Sequence, residues 1–401
     1  MIADLPQPHP QPLTRTSAAA QVAWLWLSSP DHLDLVAIDG QGRQVARLGI
    51  LGNSSVLGRS ADGSQILIAD DTSLTAYSAL NGHALQQYRR SGGQIVGHAV
   101  SPDSRYLALL VFDAGRLRLE AVEMASGLVL GPVDVVHAAD AAMPGMQGPP
   151  SAWATATFAA NSREIYTLSD WGDRPHISSF SLAGGSLRQV GTAPVAVGAC
   201  GGPSTSINVV DAGATVAAFC HFNGSVWLID LKPLGKVAVL HPLQSNPFAA
   251  SPVFTPDGQI LYVVEGQRIQ AIDLHRQQLV DTTLVSMHER RSVLSWIAAL
   301  FIRDAEAGWV ASTVPIAPDG LTLYLGASDG IVLLRIPDLK RIGRLSPGVV
   351  AGEIWVSGDG QTLFATSDDG HRLAVITANG SRTTSVTLPA AAAGFVSSEH
   401  G

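Results

Sequence analysis

The chain has 401 residues, of which 46% are hydrophobic and only 14% are charged, and it contains 40 glycines. This composition fits an all-β globular protein with a large core, a thinly charged surface and many turns. The net charge of −8 argues against nucleic-acid binding, because a surface that follows a phosphate backbone needs a concentrated basic face. We therefore predict no nucleic-acid partner.

The first 20 residues form a Pro-rich N-terminal extension. Prolines alternate with other residues in 5–12, which favours extended polyproline geometry and a spacer role. The sequence as given has no targeting pattern of basic followed by apolar residues and no transmembrane segment. Since a Pro-rich lead often follows an export signal or anchor, we expect an extracytoplasmic protein, periplasmic or on the cell surface. An ordinary disordered terminus is the alternative.

From residue 21 onward the chain repeats one unit: an apolar strand, a tight turn, a second apolar strand, then a third strand and a more polar fourth. In the turn, Pro presets φ, Asp or Asn bonds to its own backbone, and Gly takes a positive φ. The copies of the turn are 60–63, 101–104, 160–162, 211–213, 255–258, 317–320 and 357–360. A repeat of roughly 40 to 60 residues with several short strands predicts a β-propeller, in which each blade is buried only by its neighbours.

The two ends of the chain complete one another. Residues 22–48 contain a second, third and fourth strand with no first strand before them, and residues 394–399 resemble an inner strand running into its turn. The sequence therefore predicts one domain over 21–401, an all-β propeller of eight four-stranded blades closed by pairing of the C-terminal strand with the N-terminal blade. Such closure leaves no open sheet edge. The alternative is seven blades with one terminal unit packed outside.

The repeat resembles a known family. Pro256-Asp257-Gly258 followed by Leu261-Tyr262-Val263-Val264, and Pro318-Asp319-Gly320 followed by Leu323-Tyr324-Leu325, are similar to YVTN-type propeller repeats and, more loosely, to tryptophan-aspartate and lactonase-type propellers. The resemblance covers about residues 20 to 400. It implies the fold and says little about function, because the matching residues belong to turns and packing.

One segment interrupts the repeat at about 286–308, where we predict a helical insertion. Its apolar run, 293–302, is too short to cross a bilayer. The insertion either packs over the ring or presents Trp296 and Phe301 to a protein partner or a membrane surface.

Two further long connections between blades lie at 137–152, followed by Trp153, and at 192–205. In a four-stranded meander all three emerge on the face opposite the Asp turns. Because long loops on a rigid scaffold usually carry function, we predict that this face binds a protein partner, with membrane association through the same face as a further hypothesis.

Three polar residues stand out on the inner strands. The position three residues before the turn Asp is aliphatic or Phe in seven blades but is Arg59 in the other, and His98 and Glu353 interrupt a small or apolar series. An Arg, a His and a Glu beside the central channel would suit an anionic or lactone-like small molecule. The alternative is that each pairs locally or faces channel water.

The two cysteines form a disulfide candidate. Cys200 lies in a long connection, and Cys220 lies on the second strand of the next blade. A Cys200–Cys220 bridge would fit an extracytoplasmic protein. Two buried free thiols are the alternative.

No catalytic residue, metal site or cofactor is predicted. The sequence lacks the motifs for haem attachment, a serine nucleophile elbow, a phosphate loop or a His-x-x-x-His metal pair. The acidic segments 170–173 and 368–371 lack calcium-loop spacing and are interpreted as hairpin turns. The sequence thus favours a non-enzymatic interaction or scaffold propeller within a larger extracytoplasmic or membrane-associated assembly. The alternative is a lactonase-like hydrolase or quinoprotein-like oxidoreductase with its site at the channel.

Overall fold

The computed structural model describes residues 21–28, 33–50, 54–60, 62–90, 92–113, 116–136, 154–169, 175–195, 205–210, 215–220, 225–240, 250–255, 257–265, 268–284, 314–327, 330–345, 348 and 350–396. The predicted N-terminal extension and helical insertion lie outside these ranges. Within them, no helix is long and apolar enough to cross a membrane.

The strands form eight successive sheets, which we number blades 1 to 8. Blade 1 contains β1 (Ala23–Ser28), β2 (Leu33–Ile38), β3 (Gln44–Ile50) and the last strand, β31 (Ala391–Phe395). Blade 2 contains β4 (Ser55–Arg59), β5 (Gln65–Ala69), β6 (Ser73–Ser78) and β7 (Ala84–Arg89). Blade 3 contains β8 (Gln94–Val100), β9 (Tyr106–Asp113), β10 (Arg116–Glu123) and β11 (Val129–Val136). Blade 4 contains β12 (Ala154–Phe158), β13 (Glu164–Ser169), β14 (His176–Ala183) and β15 (Ser186–Pro194).

The second half of the chain repeats the pattern. Blade 5 contains β16 (Thr205–Val210), β17 (Thr215–Cys220), β18 (Ser225–Leu231) and β19 (Leu234–Leu240), and blade 6 contains β20 (Ala250–Phe254), β21 (Ile260–Glu265), β22 (Arg268–Asp273) and β23 (Gln278–Leu284). Blade 7 contains β24 (Thr322–Ala327), β25 (Gly330–Arg335) and β26 (Lys340–Leu345), with an isolated bridge between Ile316 and Leu323 at the inner position. Blade 8 contains β27 (Ala351–Val356), β28 (Thr362–Ser367), β29 (Arg372–Thr377) and β30 (Thr383–Thr387).

Each blade is an antiparallel meander whose first strand faces the ring centre. First strands of neighbouring blades contact one another, as β8 does β12 and β27 does β31. Fourth strands are the most exposed, and β7 and β30 alternate exposed with partly buried positions. The alternation follows from the strand period of two, because successive side chains point to opposite faces of a blade.

The ring is closed by the two ends of the chain. Strand β31 pairs antiparallel with β1, with Leu25 opposite Phe395 and Trp26 opposite Gly394. Beyond the strand, the Val396 amide donates to the Trp24 carbonyl at 2.8 Å. The prediction of eight blades closed by the C-terminal strand is confirmed, and the seven-blade alternative is wrong.

Packing between blades supplies the core. The described residues form eight apolar clusters, and each joins one pair of neighbouring blades around the circle. The cluster that crosses the closure contains Leu25 and Val36 of blade 1 with Phe364 and Leu373 of blade 8. Burying one such side chain stabilises the fold by about 1.5–3 kcal/mol. Because closure places blade 8 against blade 1, blade 1 is packed on both sides, as every other blade is.

Four of the turns between first and second strands use a hydroxyl as well as the Asp. In blade 2 the Ser60 hydroxyl donates to Asp62 Oδ1 at 2.6 Å and accepts the Gln65 amide at 2.9 Å. The same clasp recurs at Ser101–Asp103, Thr255–Asp257 and Ser357–Asp359. These four turns therefore have the form Ser/Thr-x-Asp, a feature beyond the predicted Asp–Gly turn, whereas blades 4 and 7 have Ala159 and Ala317 at the hydroxyl position.

Two of these turns carry Ser where the others carry Gly. Ser104 and Ser162 have φ of 56° and 55°, a left-handed conformation that disfavours side chains. The Ser104 hydroxyl accepts the Asp62 amide of the preceding blade at 3.1 Å, and the Ser162 hydroxyl accepts the Asp103 amide at 3.2 Å. The strained serines thus link the turns of blades 2, 3 and 4 into a chain on one face of the disc.

Candidate functional site

The strand order defines two unlike faces of the disc. In an antiparallel meander the first strand of a blade ends, and its second strand begins, on the face of the Asp turns. The fourth strand of each blade therefore ends on the opposite face, where the first strand of the next blade begins. We call this opposite face the connection face. It is the face on which the sequence placed the long connections.

The connections between blades differ greatly in length. Four are short, at 51–54, 90–93, 346–350 and 388–390, and four are long, at 137–153, 195–204, 241–249 and 285–313. The long ones are consecutive and join blade 3 to 4, 4 to 5, 5 to 6 and 6 to 7. Their anchoring strand ends therefore occupy one side of the connection face, and the closure occupies the other. Trp153, Trp296 and Phe301 lie outside the described residues, so their part in binding remains a prediction.

Arg59 lies beside the closure of the ring. Its guanidinium donates to the Val22 carbonyl and to the Gly63 carbonyl, both at 3.0 Å. Its Cζ atom lies 5.3 Å from the ring centroid of Trp355 in blade 8, within cation–π range. Only 2% of the residue is exposed, and this burial lowers the pKa of Arg59 to about 10, partly opposed by Asp62. The side chain spans from blade 2 across the start of β1 to blade 8.

His98 joins blade 3 to blade 2. Its ring hydrogen-bonds the backbone of Leu57 on the neighbouring inner strand. Burial lowers the pKa of His98 to about 4, and the bond to Leu57 opposes this shift. Part of the residue still reaches the surface. The imidazole is therefore neutral at physiological pH.

Glu353 supports the closure from the other side. Its Oε2 accepts the Phe395 amide of β31 at 3.1 Å, and its own amide donates to the Thr366 hydroxyl at 2.9 Å. Gly394 lies so close to this carboxylate that a Cβ there would come within 3.1 Å of Oε2. Glu353 thus holds the closing strand from blade 8.

The three predicted channel residues share one geometry. Each bonds to the backbone of a neighbouring blade, and together they bridge blades 8, 1, 2 and 3 across the closure. Trp355, which the sequence analysis did not single out, stacks on Arg59. The signal that could have found it is an aromatic residue two positions after Glu353 on the inner strand β27. All three are bonded within the ring, and their part in binding a small molecule at the channel stays a prediction.

Residues 368–371 form the hairpin turn between β28 and β29, where the Ser367 hydroxyl bonds to Asp369 and lowers the pKa of that carboxyl, assisted by the His371 amide. The hairpin interpretation of this acidic segment is confirmed. Cys200 lies outside the described residues, so the disulfide with Cys220 remains a prediction. No group of three or more metal-ligating side chains occurs among the residues the structure describes.

Comparisons with known proteins place the chain by its fold. No protein-family model and no curated protein matches it. Among solved structures, a dihydro-heme d1 dehydrogenase NirN in complex with DHE is 17% identical, with a TM-score of 0.62 over 98% of this chain and 80% of that one. The Cps50 (Swd1) propeller domain of Myceliophteria thermophila is 13% identical, with a TM-score of 0.47 over 79% of this chain and 94% of that one.

Hydrazine synthase of Kuenenia stuttgartiensis is also similar, being 14% identical with a TM-score of 0.47 over 84% of this chain and 97% of that one. At these identities the likeness concerns the fold alone. The resemblance to propeller repeats is confirmed at that level: the chain is an eight-bladed β-propeller.

Proposed function

We propose that the protein is a non-enzymatic interaction propeller that holds a protein partner on its connection face, as a subunit of a larger extracytoplasmic or membrane-associated assembly. The observation that carries this proposal is the grouping of the four long connections between blades 3 and 7. Connections of five residues or fewer are enough to join neighbouring blades, as the closure side of the ring shows. The long connections on the other side are therefore not needed to build the ring, which favours a role in recognition.

The inner strands support the same proposal. Arg59, His98 and Glu353 are occupied in bonds that hold neighbouring blades together. A ligand in the channel would compete with those bonds, and breaking a buried bond to a charged group costs about 1.5–3 kcal/mol. Binding through loops on the rim of the connection face leaves the ring intact.

The test replaces residues 286–308 with a short Gly/Ser linker in the full chain. Wild type and variant serve as baits in crosslinking affinity purification from the native source. A matched control is Val190→Ser, because Val190 is 66% exposed on the outer strand β15 and away from the connections.

We expect a partner captured by wild type and by Val190→Ser to be lost with the linker variant, while all three proteins unfold at similar temperatures. Capture of the same partner by the linker variant would refute the assignment of the insertion.

A second candidate is a hydrolase or oxidoreductase of the lactonase or quinoprotein kind with its site at the channel. It is favoured by His98, a partly exposed imidazole on an inner strand whose pKa is lowered to about 4 by burial. It is also supported by the likeness in fold to the dihydro-heme d1 dehydrogenase NirN in complex with DHE. This candidate requires turnover that is lost on His98→Gln or Glu353→Gln, together with ligand density in the channel.

A further inference from the structure

The interface between blades 3 and 4 departs from the pattern of the ring. The pairing registers allow directly paired positions on the second and third strands to be compared between blades. At one such position, blade 4 has Thr167 paired with Ser178. The residues that match Thr167 in the other blades are all apolar: Leu27, Ile68, Leu109, Ala218, Val263, Leu325 and Ala365. Blade 4 is thus the blade in which both members of this pair are polar.

The polar side chains continue along the same face. One step further, Ser169 is paired with His176. By strand alternation these residues lie on the face that carries Ile165 and Phe180, and both of those pack against blade 3. Directly paired residues have Cβ atoms about 4.5–5.5 Å apart. The four side chains therefore form one contiguous polar patch, which we call the blade 3–4 patch.

The patch is buried but incompletely bonded within the protein. Thr167, Ser169 and Ser178 have no exposed surface. The Ser178 hydroxyl bonds to that of Thr192 at 3.0 Å, whereas Thr167 Oγ1, Ser169 Oγ and His176 Nδ1 have no hydrogen-bond partner among the described residues.

The side chains that blade 3 contributes to the apolar cluster between the two blades include Leu110, Leu119 and Val135. Leaving a buried polar group unsatisfied is costly, and nearly all such groups in native proteins do find partners.

We propose that the blade 3–4 patch is a site for buried water, bound by Thr167, Ser169 and His176. Three polar groups that converge from two paired strands match the usual coordination of an internal water, which makes about three hydrogen bonds. The patch lies at the end of β13 and the start of β14, on the connection face, next to the strands that anchor connection 137–153.

The experiment combines a crystal structure that resolves ordered solvent with two variants. Thr167→Val removes one proposed ligand of the water and keeps the shape of the side chain. Ser178→Ala is the matched control, because the Ser178 hydroxyl already has a protein partner in Thr192. Urea unfolding measures the folding equilibrium constant of both variants, and native mass spectrometry measures the mass of the folded protein.

We expect solvent density about 2.7–3.2 Å from at least two of the three atoms, and a protein mass with no added small molecule. Thr167→Val should lower the folding equilibrium constant about five-fold, as the loss of one hydrogen bond predicts. The crystallographic result decides if Thr167→Val does not fold. Absence of solvent density, a rise in stability on Thr167→Val, or added mass from an organic molecule would each overturn the proposal.

Discussion

Replacing Arg59 with leucine is expected to loosen the closure of the ring while leaving the other blade interfaces intact. Leucine restores the apolar character of this position in the other blades, so the change tests what the charge contributes. The variant loses the bonds from the guanidinium to the carbonyls of Val22 and Gly63 and the contact with Trp355.

The magnitude follows from opposing terms. Each bond from a charged donor is worth about 1.5–3 kcal/mol, and the contact with the tryptophan ring adds about 0.5–2 kcal/mol. Against this stands the cost of burying the charge, which is several kcal/mol and which shows in the lowered pKa of Arg59. We expect a net loss of about 2 kcal/mol in the free energy of unfolding.

The assay is urea unfolding together with native-state hydrogen exchange. Exchange should accelerate in β1 and β31, where Val396 bonds to Trp24, more than in blades 4 to 6. The control is Arg335→Leu, whose ion pair with Asp338 is about half exposed and should contribute little. Unchanged exchange in β1 and β31, or a variant as stable as wild type, would refute the reasoning.

Three further predictions concern pH and the turns. Burial lowers the pKa of His98 from 6.5 to about 4, so the free energy of unfolding should be unaffected by this group above pH 6.5 and should decrease as the pH falls from 6.5 toward 4, by at most about 3 kcal/mol. In urea unfolding at a series of pH values, His98→Gln, which still donates to Leu57, should lack this decrease. Ser104→Ala should cost about 1 kcal/mol, whereas Ser104→Gly should be nearly neutral because it relieves the left-handed strain; equal urea midpoints for the two variants would contradict this. The bond from the Ser367 hydroxyl is the main cause of the lowered pKa of Asp369, so the carboxylate should stabilise the fold above pH 3.8 and lose this effect below it. The stability of Asp369→Asn should therefore depend less on pH in acid, and an NMR titration that finds an ordinary pKa for Asp369 would be the contrary result.

The architecture could be predicted from the sequence because consecutive residues specify each strand and turn. Each turn is written in consecutive residues, and the unmatched strands at the two ends could be completed only by each other. The role of Arg59 was hidden because its partner Val22 is 37 positions away and Trp355 belongs to the other end of the chain. The blade 3–4 patch was hidden for another reason: Thr and Ser are ordinary residues in strands, and only the pairing registers show that they face an apolar wall.

The closure has a consequence for how the molecule can be rebuilt. Val22 and Val396 lie side by side on the Asp-turn face, joined through Trp24, so the polypeptide enters and leaves the disc at nearly one point. A linker there, with new ends opened in another Asp turn such as 257–258, should give a circular permutant that refolds to the same disc.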